Sequence, residues 1–322
     1  MKLCKRLIAL MMVVAMTFAI ASCGAANEDD GKYTIGICQL LDHPALNAAT
    51  EGFKQAVIDA LGEEKVKFDY QNAANDANLC VTICNQFASA NVDLIMANAT
   101  PALTAATKAT KTIPVLGTSI TEYGVALSID NFDGTVGGNV SGTSDLAPLD
   151  EQAAMLAEWF PDAKNVGLLY CSAEANSQYQ VDVVKVELEK AGLTATLYSF
   201  SDSNDIAGVV ENAAASSDVI YVPTDNTVAA NTALIDNICR PAGIPVIAGE
   251  EGICSGCGVA TLSISYYDLG VATGKMAAQI LTGEADISTM PVGYAATVTP
   301  PYNADICAAL NITPLDGYEA IG

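Results

Sequence analysis

Asp93-Leu94-Ile95-Met96, followed after one amphipathic stretch by Ile113-Pro114-Val115-Leu116, returns in the second half of the chain as Asp218-Val219-Ile220-Tyr221-Val222, again followed by Ile244-Pro245-Val246. Each run is apolar, short and bounded by turn-forming residues, which suits a buried strand better than a helix. Strands that alternate with amphipathic helices argue for a parallel sheet covered on both faces. The order is met twice, and 322 residues are enough for two domains of roughly 100–200 residues each.

Working outward, Tyr33-Thr34-Ile35-Gly36-Ile37-Cys38 reads as the first strand, and Pro44 opens a helix with Leu46, Ala49, Phe53, Val57 and Leu61 on one face. A strand at 66–70, a helix carrying Leu79, Ile83 and Phe87, and a helix opened by Thr100-Pro101 complete the first unit. The second half replays it with strands at 165–170 and 194–200 and helices at 176–191 and 205–215. Gly137-Gly138-Asn139-Val140-Ser141-Gly142-Thr143-Ser144-Asp145 reads as a connection between lobes. The helix expected at 266–281 has no counterpart in the replay and is assigned back to the first lobe. The expected organisation is α/β: an N-terminal lobe of residues 33–143 plus 265–293 and a C-terminal lobe of residues 144–264 plus 294–322. Both are doubly wound parallel sheets, similar to one another and joined by a multi-crossing hinge.

The first 22 residues have the order of a bacterial secretory signal: Lys2, Lys5 and Arg6, an apolar run from Leu7 to Ile20, then Ala21-Ser22-Cys23. The run is shorter than the roughly 20 residues a membrane span needs. Its small-small-Cys ending resembles a lipobox, with cleavage before Cys23, acylation of that thiol and residues 23–32 as a lipidated tether. A lipid-anchored extracytoplasmic location is therefore expected. The formal charge of −23 grows more negative once the basic leader is removed. Such a surface repels nucleic acid, which is excluded as a partner.

Of the ten cysteines, Cys80 and Cys84 share a helix face with apolar neighbours and read as buried packing. Cys254-Ser255-Gly256-Cys257 lacks the second pair or the histidines of a zinc site, leaving a local disulfide or two free thiols; no metal and no cofactor is expected. His43 is the only histidine, and no G-x-S-x-G elbow surrounds any serine. Catalysis is therefore not expected.

Open parallel sheets gather ligands beyond the carboxyl ends of their strands, where helix N-termini present free N–H groups. In the first lobe that geometry selects Gln39, His43, Asn72, Thr100, Thr118 and Ser119, with Asp42 and Asn98 nearby. In the second it selects Asn176, Ser177, Asp225, Asn226 and Glu250, with Ser172, Glu174, Thr224 and Glu251 nearby. Thr100 is expected as an ordinary N-cap that also holds a carboxylate. Asp225 and Asn226 read either as caps of the helix that begins there or as groups facing a ligand ammonium, and the second is favoured because a carboxylate in a desolvated cleft needs a cationic partner. Tyr266, where the chain re-enters the first lobe, joins the ligand-binding set.

His43-Pro44-Ala45-Leu46, Asp69-Tyr70-Gln71-Asn72-Ala73, Ala99-Thr100-Pro101-Ala102, Glu174-Ala175-Asn176-Ser177, Tyr221-Val222-Pro223-Thr224-Asp225-Asn226-Thr227-Val228 and Ala248-Gly249-Glu250-Glu251-Gly252 resemble the tryptophan/tyrosine-type substrate-binding proteins of ABC importers. The likeness runs from Tyr33 nearly to the C-terminus. It implies a type I periplasmic-binding-protein fold, no catalysis, a small ligand that is an α-amino acid and often aromatic, a monomer, and an ABC permease as membrane partner. Carboxylate contacts near Thr100 and Ser119 and ammonium contacts near Asp225 are implied too. The chain departs from the family at Ser265, where many members have an aspartate before the paired tyrosines, and in Cys254 and Cys257. Two other readings stay open at this point: a sensor or accessory lipoprotein for another solute such as a nucleoside, and a surface hydrolase dependent on His43.

Overall fold

The computed structural model describes residues 31–295 and 297–321. The expected signal peptide, the lipidation site Cys23 and all but the last two residues of the tether lie outside them. Among the described residues no helix is long and apolar enough to cross a membrane.

The first half alternates β1 (Tyr33–Gln39), α1 (Pro44–Leu61), β2 (Val66–Asn72), α2 (Ala77–Ala90), β3 (Leu94–Asn98), α3 (Thr100–Ala109), β4 (Val115–Ile120), α4 (Tyr123–Leu127) and β5 (Val140–Ser144). The chain then enters a second sheet through α5 (Leu149–Trp159), β6 (Asn165–Cys171), α6 (Ala175–Lys190), β7 (Thr194–Phe200), α7 (Ile206–Ser216), β8 (Val219–Val222), α8 (Asn226–Ala229), α9 (Thr232–Ala242), β9 (Val246–Ala248), α10 (Glu251–Cys257) and β10 (Ala260–Thr261). The remaining elements are β11 (Ser263–Ile264), α11 (Tyr266–Leu281), β12 (Gly293–Tyr294), β13 (Val298–Thr299), β14 (Pro301–Asn303), α12 (Ala304–Leu310) and β15 (Glu319–Ile321).

Among the described residues two large sheets form, with a two-stranded ribbon of β11 and β13 apart from them. The first has order β12-β5-β4-β3-β1-β2 and the second β15-β14-β10-β9-β8-β6-β7. Every pairing in the first is parallel. In the second only β10 with β14 is antiparallel, so β14 and β15 form a reversed edge. The matching strands β3 and β8 are wholly buried, as sheets covered on both faces require.

The path passes between the sheets three times: after β5, between β11 and α11, and between β12 and β14. Two of these passages are laced together, because β11 and β13 pair antiparallel, Ser263 opposite Thr299 and Ile264 opposite Val298. Helix α11 lies along α1 of the first sheet at a glycine-mediated approach. A Cβ on Gly270 would fall 2.0 Å from the Ala49 carbonyl oxygen, and one on Gly52 would fall 2.1 Å from that of Tyr267. No side chain fits there without parting the helices.

On α2 the buried face is Cys80, Ile83, Cys84 and Phe87. Leu79, expected on that face, is 37% exposed. The 3.6-residue repeat favours the i, i+3, i+4, i+7 set over strict steps of four. All eight described cysteines are free and buried, including Cys254 and Cys257, which lie within α10.

Candidate functional site

The carboxyl ends of β1, β3, β4 and β5 in one sheet face those of β6, β8 and β9 in the other, with the lobes in contact. The His43 imidazole Nε2 lies 3.3 Å from Asn226 Oδ1, and Asn75 Nδ2 donates to Thr227 Oγ1 at 3.3 Å. Both pairs join the first lobe to the second.

A series of contacts runs along the cleft. Asp145 N donates to the Ile120 carbonyl at 3.2 Å, tying the first crossing to the tip of β4 beside Ser119. The Tyr266 phenol donates to Asp145 Oδ2 at 2.8 Å, and at the tip of β8 the Thr224 hydroxyl donates to the Gly249 carbonyl at 3.4 Å. Asn176 Nδ2 donates to the Thr224 carbonyl at 3.2 Å and to Glu174 Oε2 at 3.2 Å. Glu174 in turn holds the start of α8: Asn226 N, Asn226 Nδ2, Thr227 N and Thr227 Oγ1 all donate to it at 2.7–3.1 Å. Asn226 then reaches His43, back on the first lobe.

Four buried polar atoms along these contacts have no hydrogen-bond partner among the described residues: Ser119 Oγ, Asp145 Oδ1, Asn176 Oδ1 and His43 Nδ1. Native interiors leave few such groups, and each one costs free energy unless something outside the chain satisfies it. The set is acceptor-rich, so it suits a ligand that brings donors. Backbone strain gathers at the same place: Ala99 has φ 86° and Ser119 has φ 55°, conformations that non-glycine residues keep only where surroundings enforce them.

Ala99 is also the residue that precedes α3, so Thr100 is the first helical residue rather than the expected N-cap, with Pro101 behind it. The positive φ turns the chain at Ala99 and presents the first-turn N–H groups of α3 without a side-chain cap.

Other expected residues have internal duties. Gln39 is fully buried and spans the base of α1, with Nε2 donating to the Leu41 carbonyl and Asn47 Oδ1 and Oε1 accepting from Thr50. Asn72 Oδ1 accepts from Ala74 N in a turn. Thr118 joins a hydroxyl cluster with Thr143 and Thr273. Ser177 Oγ accepts from Asn176. Asp225 spends Oδ1 on Val228 N at the start of α8 and Oδ2 on Cys171 N. Glu250 caps α10 through Gly252 N and Ile253 N, while Glu251 is exposed. Asp145 and Glu174 are the acids that reading by strand tips underrated.

Burial pushes Glu250 up to about 7 from an ordinary 4.5, and it pushes Asp145 up as well. Asp225 is raised first by burial and then by the Glu174 charge. An acid whose folded value is raised keeps its proton in the native state after the unfolded chain has released it, so stability falls as pH rises through that interval. Glu250 alone is therefore expected to cost the ligand-free protein about 2 kcal/mol between pH 5 and pH 8, with Asp225 and Asp145 acting in the same direction. Urea unfolding midpoints over a pH series check this, and Glu250→Gln should flatten the slope between 4.5 and about 7.

A family model, ABC transporter substrate binding protein, matches residues 34–315. The chain belongs to that family. A tyrosine-binding protein from Clostridioides difficile is 31% identical over 325 residues, covering 95% of this chain and 93% of the relative. An ABC domain from Streptococcus pneumonia in complex with L-Trp is 32% identical with TM-score 0.85, covering 90% of this chain and all of the other. A ligand-free, open structure of a substrate binding protein with adhesive properties from Clostridium difficile is 36% identical, covers 90% of this chain and 99% of its own, and superposes less well, TM-score 0.69. In this substrate-binding protein the two lobes meet across the cleft through the His43–Asn226 and Asn75–Thr227 pairs. The fold is the type I periplasmic-binding fold, and the family works outside the cytoplasm in ABC transport.

Proposed function

We propose that this substrate-binding protein closes on a free α-amino acid, with a lean to aromatic ones, and hands it to an ABC permease. The observation that carries the reading is Asp145 Oδ1, a buried carboxylate oxygen that accepts no hydrogen bond among the described residues, although the Thr121 hydroxyl is near the carboxylate, and that shares the cleft with further unsatisfied acceptors. A ligand ammonium supplies the charge and the donors that such a group lacks. The role expected of Asp225 thus passes to Asp145, because both Asp225 oxygens hold backbone N–H groups. The carboxylate of the same ligand goes to the uncapped start of α3 and to Ser119 Oγ, where helix N–H groups favour an anion. The aromatic lean is supported by the tyrosine-binding and L-Trp-bound relatives.

We assign the remaining parts as follows. Residues 1–22 are a signal peptide, Cys23 carries the lipid, the tether ends near Lys32, and a monomer docks on the permease. Residues 33–143 with 265–293 move as one lobe against 144–264 with 294–322. The sheet order supports that division: β12 completes the first sheet, while β14 and β15 complete the second. Closure on the ligand is a population shift between open and shut lobes.

The test is a thermal-shift panel of amino acids, nucleosides and sugars on the ligand-free protein, since a bound ligand stabilises the native state in proportion to RT ln(1 + [L]/Kd). Aromatic amino acids are expected to raise the midpoint most. A shift with nucleosides alone would transfer the protein to the sensor reading, and silence from the whole panel would remove the amino-acid assignment.

A further inference from the structure

We infer that His43 reads the ligand's side chain for a hydrogen-bond donor and couples that reading to lobe closure. The inference rests on the amino-acid reading above and specifies which amino acids fit. It starts at Glu174, whose Oε1 accepts from Thr227 N at 2.9 Å and whose Oε2 accepts from Asn226 N at 3.1 Å. Backbone N–H groups only donate, so both carboxylate oxygens face this site as acceptors.

The Asn226 side-chain atom 2.7 Å from Glu174 Oε2 is therefore the amide nitrogen, because an oxygen there would set two acceptors against each other. That orientation turns Asn226 Oδ1 toward His43, 3.3 Å from Nε2. An amide oxygen only accepts, so Nε2 carries the imidazole proton. In a neutral ring that leaves Nδ1 a bare acceptor.

Nδ1 has no hydrogen-bond partner among the described residues and is buried, on a residue that is 8% exposed. His43 stands on the first lobe and Asn226 on the second, so the ring bridges the cleft with one nitrogen committed across it and the other unspent. A phenol O–H or an indole N–H satisfies Nδ1. A phenyl ring of similar size leaves it unpaired, and a site that offers a buried hydrogen-bonding group rejects the analogue without the complement. A donor on Nδ1 also fixes the imidazole in the plane that the Asn226 bond requires, so recognition and closure share one ring. The ligand class is thus an α-amino acid whose side chain carries a donor.

Calorimetric titration of the intact mature protein with L-tyrosine, L-tryptophan and L-phenylalanine tests this. The expected result is a preference of about 10–100-fold for the two donor-bearing ligands over L-phenylalanine. The preference should disappear in His43→Phe through weaker tyrosine binding, and return in part in His43→Asn, which restores an acceptor. Equal affinities of the unaltered protein for all three, or a preference that survives H43F, overturns the inference while leaving the amino-acid reading intact. Failure of all three to bind overturns both.

The chain has a single histidine, so the imidazole nitrogen resonances of a tag-free protein give a measurement that needs no variant. Nε2 should be the protonated nitrogen, and the Nδ1 signal should move on adding tyrosine but not on adding phenylalanine. A protonated Nδ1 in neutral His43 would overturn the assignment.

Discussion

Replacing Asp145 by alanine is expected to weaken binding of an α-amino acid by about two orders of magnitude or more while leaving the ligand-free protein folded, since relief of the buried carboxylate offsets the loss of the Tyr266 phenol's acceptor. Asp145 is 4% exposed, and its Oδ1 accepts no hydrogen bond among the described residues, so the empty protein gains little from the carboxylate's second oxygen and bears its desolvation. A bound ammonium reverses the balance. Removing one member of a buried, hydrogen-bonded charge pair typically costs about 2–5 kcal/mol, or roughly 30-fold to several-thousand-fold in affinity.

Asp145→Asn refines the test, since the amide oxygen still accepts from the Tyr266 phenol while the charge is gone. Titration should show the two variants losing ligand alike. An Asp145→Ala protein that held its ligand within a few-fold would show that the ammonium sits elsewhere. The raised value of Asp145, caused first by burial, adds a sign: a proton competes with the ammonium for the carboxylate, so affinity falls as pH falls.

Glu174→Ala is expected to cost about 3 kcal/mol of stability, with the midpoint of urea unfolding as the measurement. The carboxylate accepts from two backbone N–H groups, the Thr227 hydroxyl and the amides of Asn176 and Asn226. Deleting it leaves those donors buried at the start of α8, and each orphan carries its own desolvation cost. Relief of the repulsion that Glu174 exerts on Asp225 offsets only part of this. Glu174→Gln should fall between, because the new amide keeps one acceptor and turns its NH2 toward N–H groups already facing it. A neutral effect of the alanine change would mean that solvent reaches the start of α8.

The two sheets could be read from the chain because the matched strands are buried on both faces, which makes each an uninterrupted apolar run. Strand tips pointed to the right neighbourhood for the same reason: the loops that follow such runs in a parallel sheet share one end. What one residue does in that neighbourhood depends on bonds between distant segments. Asp225 looks available in sequence, yet Cys171 N, 54 residues away, takes its second oxygen. Asp145 looks like part of a glycine-rich connector, yet Tyr266, 121 residues away, pins it in the cleft. A cue was present in hindsight: an acid closing a run of small, buried residues, Val140–Ser144, stands where a charge is costly without a purpose. Ala99 misled differently, since Thr100-Pro101 has the composition of a capped helix start and only the backbone reveals the left-handed turn before it.

The ribbon formed by β11 and β13 bears on how ligand capture is signalled. A body tied to another at one point can swivel about any axis; three ties, two of them stitched side by side by backbone hydrogen bonds, leave little besides a single rotation. Swing and twist are thereby fused into one coordinate. A membrane protein that touches both halves then needs to sense only one angle to know whether cargo is aboard.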